Sequence, residues 1–180
     1  MKGTVLVCLQ ELITVKFGAS VWERVLIRTG QTKYTLFAAL SDVEDDLAIG
    51  LVMSVCAELN ITLQQAADAF GDYWVNTYSP RLYEGFYAKH TSSRTFLTDL
   101  NNMHARLTRS MPGARPPKFR FEWPDPDTLL MHYESHRPLI DIAVGMTRAL
   151  GTRFKETLVV EKVSPTSLTV RFPPLSPPAA

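Results

Sequence analysis

Apolar residues recur every three or four positions through about the first 110 residues of the chain, and then at alternate positions. The first such run, Val5, Leu6, Leu9, Leu12 and Ile13, predicts an amphipathic helix over residues 4–17. The same period predicts a helix from Ser20 to Gly30, two more after Ser41 and Thr62, and others over 80–89 and 93–111. The amino-terminal part is therefore expected to be helical.

Polar residues at the ends of these runs predict where helices begin and stop. Ser41 followed by Glu44 resembles a capping box, in which the hydroxyl accepts from the backbone and the carboxylate accepts in return. Thr62, which precedes Leu63-Gln64-Gln65, is expected to open the next helix. Gly151 is expected to end the helix predicted over residues 138–150, since glycine tolerates the left-handed conformation there.

The period changes after a proline-rich stretch, residues 112–117. Alternation over 118–123 predicts a half-buried strand, and residues 128–137 are expected to form a second strand. The helix over 138–150 follows, and residues 158–163 and 167–172 predict a hairpin. The fold class is α+β: a helical amino-terminal part, then an antiparallel sheet of about four strands with an inserted helix.

Length and composition indicate one globular domain over residues 1–173, with a flexible tail over 174–180. Apolar residues make up 46% and charged residues 21% of the 180 residues, and the net charge is +1, which argues against a nucleic-acid partner. No run of 18 apolar residues is present, so no membrane span is expected. Cys8 and Cys56 lie in apolar runs as buried free thiols, which favours the cytoplasm.

His104 is the first candidate for chemistry. It lies on the apolar face of the helix over 93–111, together with Phe96, Leu97, Leu100 and Leu107. A polar ring in such a place needs a partner, and iron in an apolar pocket is one, because neutral imidazole is a good iron ligand. The alternative is a core histidine that is hydrogen-bonded to backbone or to another side chain.

Tyr133, Ser135 and Arg137 form the second candidate group. If residues 128–137 are one strand, these three side chains share a face, because side chains alternate along a strand. Two hydroxyls and a guanidinium suit paired carboxylates, and haem carries two propionates. The alternative is a solvated strand face without a ligand.

The two groups together resemble the H-NOX family, the haem nitric oxide and oxygen binding domains related to the sensor part of soluble guanylate cyclase. The resemblance rests on Met1-Lys2-Gly3-Thr4, on Phe70-Gly71-Asp72-Tyr73-Trp74-Val75, on the His104 helix and on Gly113-Ala114-Arg115-Pro116-Pro117. It ends with the Tyr-x-Ser-x-Arg signature at Tyr133, Ser135 and Arg137. Nearly the whole chain is covered.

This resemblance implies haem b between a helical subdomain, about residues 1–65, and a haem-holding subdomain, about 66–173. His104 would be the proximal iron ligand, Tyr133, Ser135 and Arg137 would bind the propionates, and Pro117 would press against the porphyrin. The pocket is expected to be completed by Val5, Leu9, Trp74, Tyr78, Leu100, Ile142 and Met146.

Family members that hold oxygen carry a distal tyrosine where this chain has Ile142. The resemblance therefore implies a sensor that binds nitric oxide and carbon monoxide and discriminates against oxygen. Nitric oxide would break the iron–His104 bond, and the freed helix would shift the helical part against the sheet. A separate partner, such as a histidine kinase or a cyclic-di-GMP enzyme, would receive the signal.

Three other functions stay open at this point. An oxygen sensor or carrier would need a hydrogen-bond donor that Ile142 does not supply. A haem-free interaction module would leave His104 as a core residue. An enzyme is disfavoured, because the acidic residues 42–46 suit a helix start and no nucleophile–base spacing is visible.

Overall fold

The computed structural model describes residues 1–174 and has the predicted order of helices followed by a sheet. The helices that precede the sheet are α1 (Gly3–Phe17), α2 (Ala19–Arg28), α3 (Asp45–Leu59), α4 (Leu63–Tyr73), α5 (Pro80–Tyr87) and α6 (Ser93–Ser110), with a π-helical turn (Trp74–Tyr78) after α4. Then come β1 (Lys118–Asp125), β2 (Thr128–Glu134), α7 (Ile140–Phe154), β3 (Val159–Ser164) and β4 (Ser167–Arg171). The predicted α+β class is confirmed; the predicted tail lies outside the described residues, apart from Pro174.

The four strands form one antiparallel sheet in the order β1-β2-β4-β3. Phe119 pairs with Tyr133, Met131 with Leu168, and Val160 with Val170, and all six of these side chains are buried. The side chains between them are mostly exposed, as expected for a sheet with one covered face. The helices α6 and α7 pack against this sheet.

Two hydrophobic cores divide the molecule. A helical core joins α1, α2 and α3 and includes Phe70 and Tyr73 of α4, and a sheet core joins the strands with α6 and α7. The subdomain boundary expected near residue 65 falls in the first turn of α4, and it stays a prediction. Within residues 1–174 no single helix is long and apolar enough to cross a bilayer, although α3 and the α4–π segment would pass together, with a bend of 109°.

The structure confirms one of the predicted helix starts and corrects another. Thr62 opens α4 as predicted, and it forms a capping box with Gln65: Gln65 N–H donates to the Thr62 hydroxyl at 3.1 Å, and Thr62 N–H donates to Gln65 at 2.9 Å. Ser41 is not a cap, because α3 begins at Asp45 and the Ser41 hydroxyl donates to the Ala38 carbonyl. Its own carbonyl accepts from Gly3 N–H, so Ser41 belongs to a turn that holds the start of α1.

Three other ends differ from the sequence prediction. The second helix begins at Ala19 after Gly18 (φ 91°), so Ser20 lies inside it. The last helix passes through Gly151 and ends where Lys155 adopts a left-handed conformation (φ 57°). Strand β2 stops at Glu134, because Ser135 and Arg137 already belong to the turn that leads into α7.

The helices α4 and α7 approach each other backbone to backbone. A Cβ added to Gly71 would lie 2.3 Å from the Gly145 carbonyl carbon, and one added to Gly145 would lie 2.2 Å from the Ala67 carbonyl oxygen. Both clashes are with backbone, which cannot yield as a flexible side chain can. The two glycines therefore determine how closely α7 packs against α4.

We expect Gly145→Ala to destabilise the protein by about 1–3 kcal/mol, because the added methyl must push α7 off α4. Gly85→Ala is the matched control: it lies in α5 and has no atom within 4 Å of its would-be Cβ, so better helix propensity should leave stability unchanged or raise it. Urea unfolding followed by circular dichroism measures both. Equal midpoints for the two variants would contradict the packing argument.

Candidate functional site

A cavity of about 460 Å³ lies between the helical core and the sheet core. This volume is in the range of small-molecule and cofactor sites, which is about 300–1,000 Å³. Most of its lining is apolar. Of the twelve site residues predicted from the sequence, eleven line it: His104, Tyr133, Ser135, Arg137, Pro117, Val5, Leu9, Trp74, Leu100, Ile142 and Met146.

Tyr78 is the exception, and its prediction as pocket wall is not supported by the position of its side chain. Its ring lies 5.5 Å from the ring of Trp74, and its hydroxyl is 3.3 Å from the Thr4 hydroxyl. The side chain is buried but does not line the cavity. The π-helical turn adds a residue to the helix, which alters the faces on which Trp74 and Tyr78 lie.

His104 reaches the cavity wall from α6. Its Nδ1 lies 3.0 Å from the Pro117 carbonyl oxygen, and a carbonyl can only accept a hydrogen bond. The proton is therefore assigned to Nδ1, which leaves the lone pair on Nε2. Burial lowers the pKa of the imidazole below its usual value, although the Pro117 hydrogen bond opposes this, so the ring is neutral at pH 7. A neutral ring with one free nitrogen is the form that binds a metal.

Asn101, one turn before His104, fixes α6 to the sheet. Its side-chain amide donates to the Phe119 carbonyl at 2.6 Å, and its side-chain oxygen accepts from Phe119 N–H at 2.9 Å. This double hydrogen bond joins α6 to the second residue of β1, close to the Pro117 carbonyl. Asn101 is not predicted from the sequence, because nothing in the helical spacing marks a side chain that pairs with a strand backbone.

Tyr133, Ser135 and Arg137 meet at the cavity although they do not share a strand face. Tyr133 is in β2 and Ser135 comes directly after it, and Ser135 Oγ accepts from Arg137 N–H at 3.2 Å. Burial raises the pKa of the Tyr133 hydroxyl, which therefore stays protonated and able to donate. The turn thus gathers two hydroxyls and a guanidinium at one end of the cavity.

Asp45, the first residue of α3, holds the Arg137 side chain in place. Its carboxylate accepts from Arg137 Nε at 2.7 Å, from the amino-terminal ammonium at 2.7 Å and from His136 Nε2 at 2.9 Å. Partial burial acts to raise the pKa of this carboxyl, but the three hydrogen bonds outweigh it and hold the pKa well below its usual range. From the sequence, Asp45 is predicted only as part of an acidic helix start.

Of the remaining donors of Arg137, one amino group has a backbone partner and the other has none. Its Nη1 donates to the Arg115 carbonyl at 2.8 Å, whereas Nη2 has no partner among residues 1–174. A guanidinium held by two contacts, with one amino group free, is prepared for an additional carboxylate.

The donor set fits haem. One imidazole with a free lone pair faces a slot that is otherwise apolar, and a cluster of carboxylate-binding groups lies at one end of the same slot. His104 would hold the iron, and Tyr133, Ser135 and Arg137 would hold the propionates. Haem would supply an iron on which diatomic gases bind.

Comparison with known protein families agrees with this geometry. A family model described as Haem-NO-binding matches residues 2–162. The chain belongs to this family. The Haem-NO-binding domains, also called H-NOX domains, bind haem and sense diatomic gases, so the resemblance drawn from the sequence is confirmed.

Curated relatives include two soluble guanylate cyclases of Caenorhabditis elegans. The cyclase gcy-35 is 27% identical over 158 residues, which is 86% of this chain and 23% of the relative. The cyclase gcy-32 is 28% identical over 169 residues, 89% of this chain and 25% of the relative. The chain thus spans about a quarter of the length of these relatives.

Solved H-NOX structures share the fold. A Cs H-NOX variant superposes with a TM-score of 0.84 at 22% identity and covers 96% of both chains. An oxygen-binding H-NOX domain related to soluble guanylate cyclases, in its oxygen complex, gives a TM-score of 0.78 at 22% identity, over 96% of this chain and 95% of that one. The Fe(II) unliganded A71G variant from K. algicida gives 0.84 at 17% identity, over 97% of each.

We expect Asp45→Asn to lower the free energy of unfolding at pH 7 by about 1–2 kcal/mol, because three hydrogen bonds to a charged group are weakened. The folded-state pKa of Asp45 is depressed, so its contribution is complete above the ordinary carboxyl pKa and is lost as the pH falls below it. The difference between variant and wild type should therefore shrink in acid.

Asp42→Asn is the control, since Asp42 pairs with Lys2 but its side chain is 68% exposed, and little change is expected. Urea unfolding at a series of pH values measures both variants. A deficit for Asp45→Asn that stays constant from pH 7 down to pH 2 would contradict the assignment.

Proposed function

We propose that this chain is a haem b sensor that binds nitric oxide and carbon monoxide, discriminates against oxygen and signals to a separate protein. The observation that carries the proposal is the fixed tautomer of His104, whose Nε2 lone pair is free on an apolar cavity. The membership of the Haem-NO-binding family supports the same ligand.

Selectivity follows from the chemistry around Ile142. Bound oxygen carries partial negative charge, so a hydrogen-bond donor beside it increases its affinity. One such bond contributes about 0.5–1.5 kcal/mol, and 1.4 kcal/mol is a factor of ten in affinity. Ile142 lines the cavity and has no donor to offer. Nitric oxide binds ferrous haem strongly without this help.

The His104 helix is the element through which the signal would leave. Asn101 anchors α6 to β1, and Met103 is buried in the sheet core. Beyond Met103, the Pro117 hydrogen bond and a metal bond of His104 would position the helix. Release of the imidazole from the metal would therefore free the later turns of α6 while the earlier turns stay on the sheet. A ligand that favours release would shift the equilibrium between the bound and the released position of α6, and such a shift is how a ligand operates a switch.

The receiver of the signal would be a separate protein, in our proposal a histidine kinase or a cyclic-di-GMP enzyme. The chain itself would have no catalytic role. Two free cysteines, Cys8 and Cys56, are both buried in the structure, and their reduced state suits the cytoplasm, where we propose the sensor works.

The decisive measurement is the absorption spectrum of the purified ferrous protein under nitrogen, with nitric oxide and in air. We expect a Soret band that shifts with nitric oxide and stays unchanged in air. A colourless protein that refuses added haem would overturn the proposal. A stable new spectrum in air would favour the oxygen-binding alternative.

We expect His104→Ala to lose haem, or to retain it only when imidazole is supplied, because the cavity then lacks its nitrogen ligand. His132→Ala is the matched control, since His132 lies in β2 beside Glu122 and does not line the cavity. Haem content per polypeptide, measured by absorbance, separates the two variants. Equal haem content and gas response in both would contradict the assignment of His104.

We expect Ile142→Tyr to raise oxygen affinity about two- to tenfold, as one added hydrogen bond would. Ile142→Phe is the control, because it adds a ring of the same shape without the hydroxyl. Oxygen titration of the ferrous proteins measures both. If the phenylalanine variant gains as much as the tyrosine variant, the effect is one of packing and the argument from donors fails.

A further inference from the structure

Positive charge is concentrated in one stretch of the chain, residues 100–121. This stretch contains five lysine and arginine residues and no aspartate or glutamate, whereas the whole chain has a net charge of +1. The rest of the chain therefore carries a net charge of −4. All five cations are exposed, and together they form what we call the basic surface: Arg106, Arg109, Arg115, Lys118 and Arg120.

The contact between His104 and Pro117 joins the two parts of the basic surface. Its two members on α6 lie three residues apart, a spacing that makes side chains neighbours on a helix. Its two members in β1 lie two residues apart and share the uncovered face of the sheet. His104 Nδ1 lies 3.0 Å from the carbonyl oxygen of Pro117, which directly precedes Lys118. The end of α6 and the start of β1 are thus held side by side.

Most of the charge of the basic surface is not neutralised within the described chain. Arg106 is paired with Asp99 at 2.7 Å, and Arg120 is paired with Glu122. The other three cations have no carboxylate partner among residues 1–174. Neighbouring like charges repel one another, and a second surface that carries carboxylates would offset this repulsion. Such complementarity speeds association and selects the partner.

We propose that the basic surface binds an acidic face of the protein that receives the gas signal, and that Arg109, Arg115 and Lys118 meet its carboxylates. This inference rests on the proposed function. Arg109 lies beyond His104 on α6, so it would move with the turns that are freed when the imidazole leaves the metal. A partner bound there would respond to the state of the iron. A long nucleic acid or an anionic membrane extends past the basic surface and would be repelled by the acidic remainder of the chain.

The test uses the haem-loaded ferrous chain, with and without nitric oxide, and poly-glutamate as the acidic probe at physiological salt. In the double variant Arg109→Glu/Lys118→Glu we expect the affinity for poly-glutamate to fall about five- to thirtyfold, because two attractive pairs become repulsive. In the wild-type protein we expect nitric oxide to change this affinity about fivefold or more. Isothermal titration calorimetry measures both effects.

The matched control is the double variant Arg28→Glu/Lys33→Glu. Both residues are exposed, lie outside the basic surface at the end of α2 and in the loop after it, and change the net charge by the same amount. Arg28 is also the basic residue in the last turn of α2, as Arg109 is in α6, so the effect on the helix dipole is matched. We expect the affinity of this variant for poly-glutamate to stay within about twofold of wild type.

Equal losses in the two double variants would show that net charge alone controls binding, and would overturn the inference. Tighter binding to a DNA duplex or to phosphatidylserine vesicles than to poly-glutamate would also overturn it, as would an affinity that nitric oxide leaves unchanged. The Soret band of the same samples tests the sensor separately. If that band shifts with nitric oxide in each of these cases, the proposed function stands without the inference, whereas a chain that binds no haem overturns both.

Discussion

The hydrogen bond between His104 Nδ1 and the Pro117 carbonyl is the contact on which the site depends. It fixes the tautomer, so the nitrogen that faces the cavity carries a lone pair and no proton. It also joins α6 to the segment that enters β1, one turn after Asn101 has made the same connection. The position of the imidazole and the position of the sheet are therefore coupled through two adjacent contacts. Forming or breaking a metal bond to His104 would act on both contacts.

The two cores meet where α4 and α7 touch backbone to backbone at Gly71 and Gly145, and where Trp74 and Met146 pack against both. The cavity lies between the cores beside these contacts. Carboxylates add polar contacts: Asp45 of α3 holds Arg137, and within the helical part Glu11 accepts from Tyr73 at 2.6 Å and from Arg81 at 2.7 Å. A few hydrogen bonds and ion pairs around a cavity can be rearranged by a small difference in ligand affinity between two conformations. A continuous packed interface could not be rearranged in this way.

Periodicity predicted the elements well, because each helix and strand buries one face against a core. It did not predict the ends of some elements: Lys155, not Gly151, takes the left-handed position that ends α7, and the Gly151 carbonyl accepts from Glu156 N–H at 2.8 Å. Ser41 holds the start of α1. The cavity lining could be predicted because the family signature marks it. Asn101 and Asp45 could not be, since their roles require knowing which distant backbone or guanidinium the fold brings to them, and the π-helical turn that removes Tyr78 from the lining leaves no mark in the spacing.

The groups suited to binding carboxylates are gathered at the turn after β2, and in the proposed sensor this grouping would let one pocket hold a dianionic cofactor and still discriminate against oxygen. Arg137 and the Tyr133 and Ser135 hydroxyls are gathered in the turn after β2, where carboxylates are expected. A charged donor beside the gas would contribute about 1.5–3 kcal/mol, or roughly ten- to 150-fold in affinity, and oxygen would gain most because it becomes anionic. The hydroxyls on the helical side of the cavity are already engaged, since Thr4 is hydrogen-bonded to Tyr78, Ser79 to Tyr87, and Thr147 to the Ala143 carbonyl. In the proposed sensor, selectivity would come from the lack of strong donors beside the gas, and it would depend on internal hydrogen bonds such as Thr4–Tyr78 as much as on the apolar side chain of Ile142.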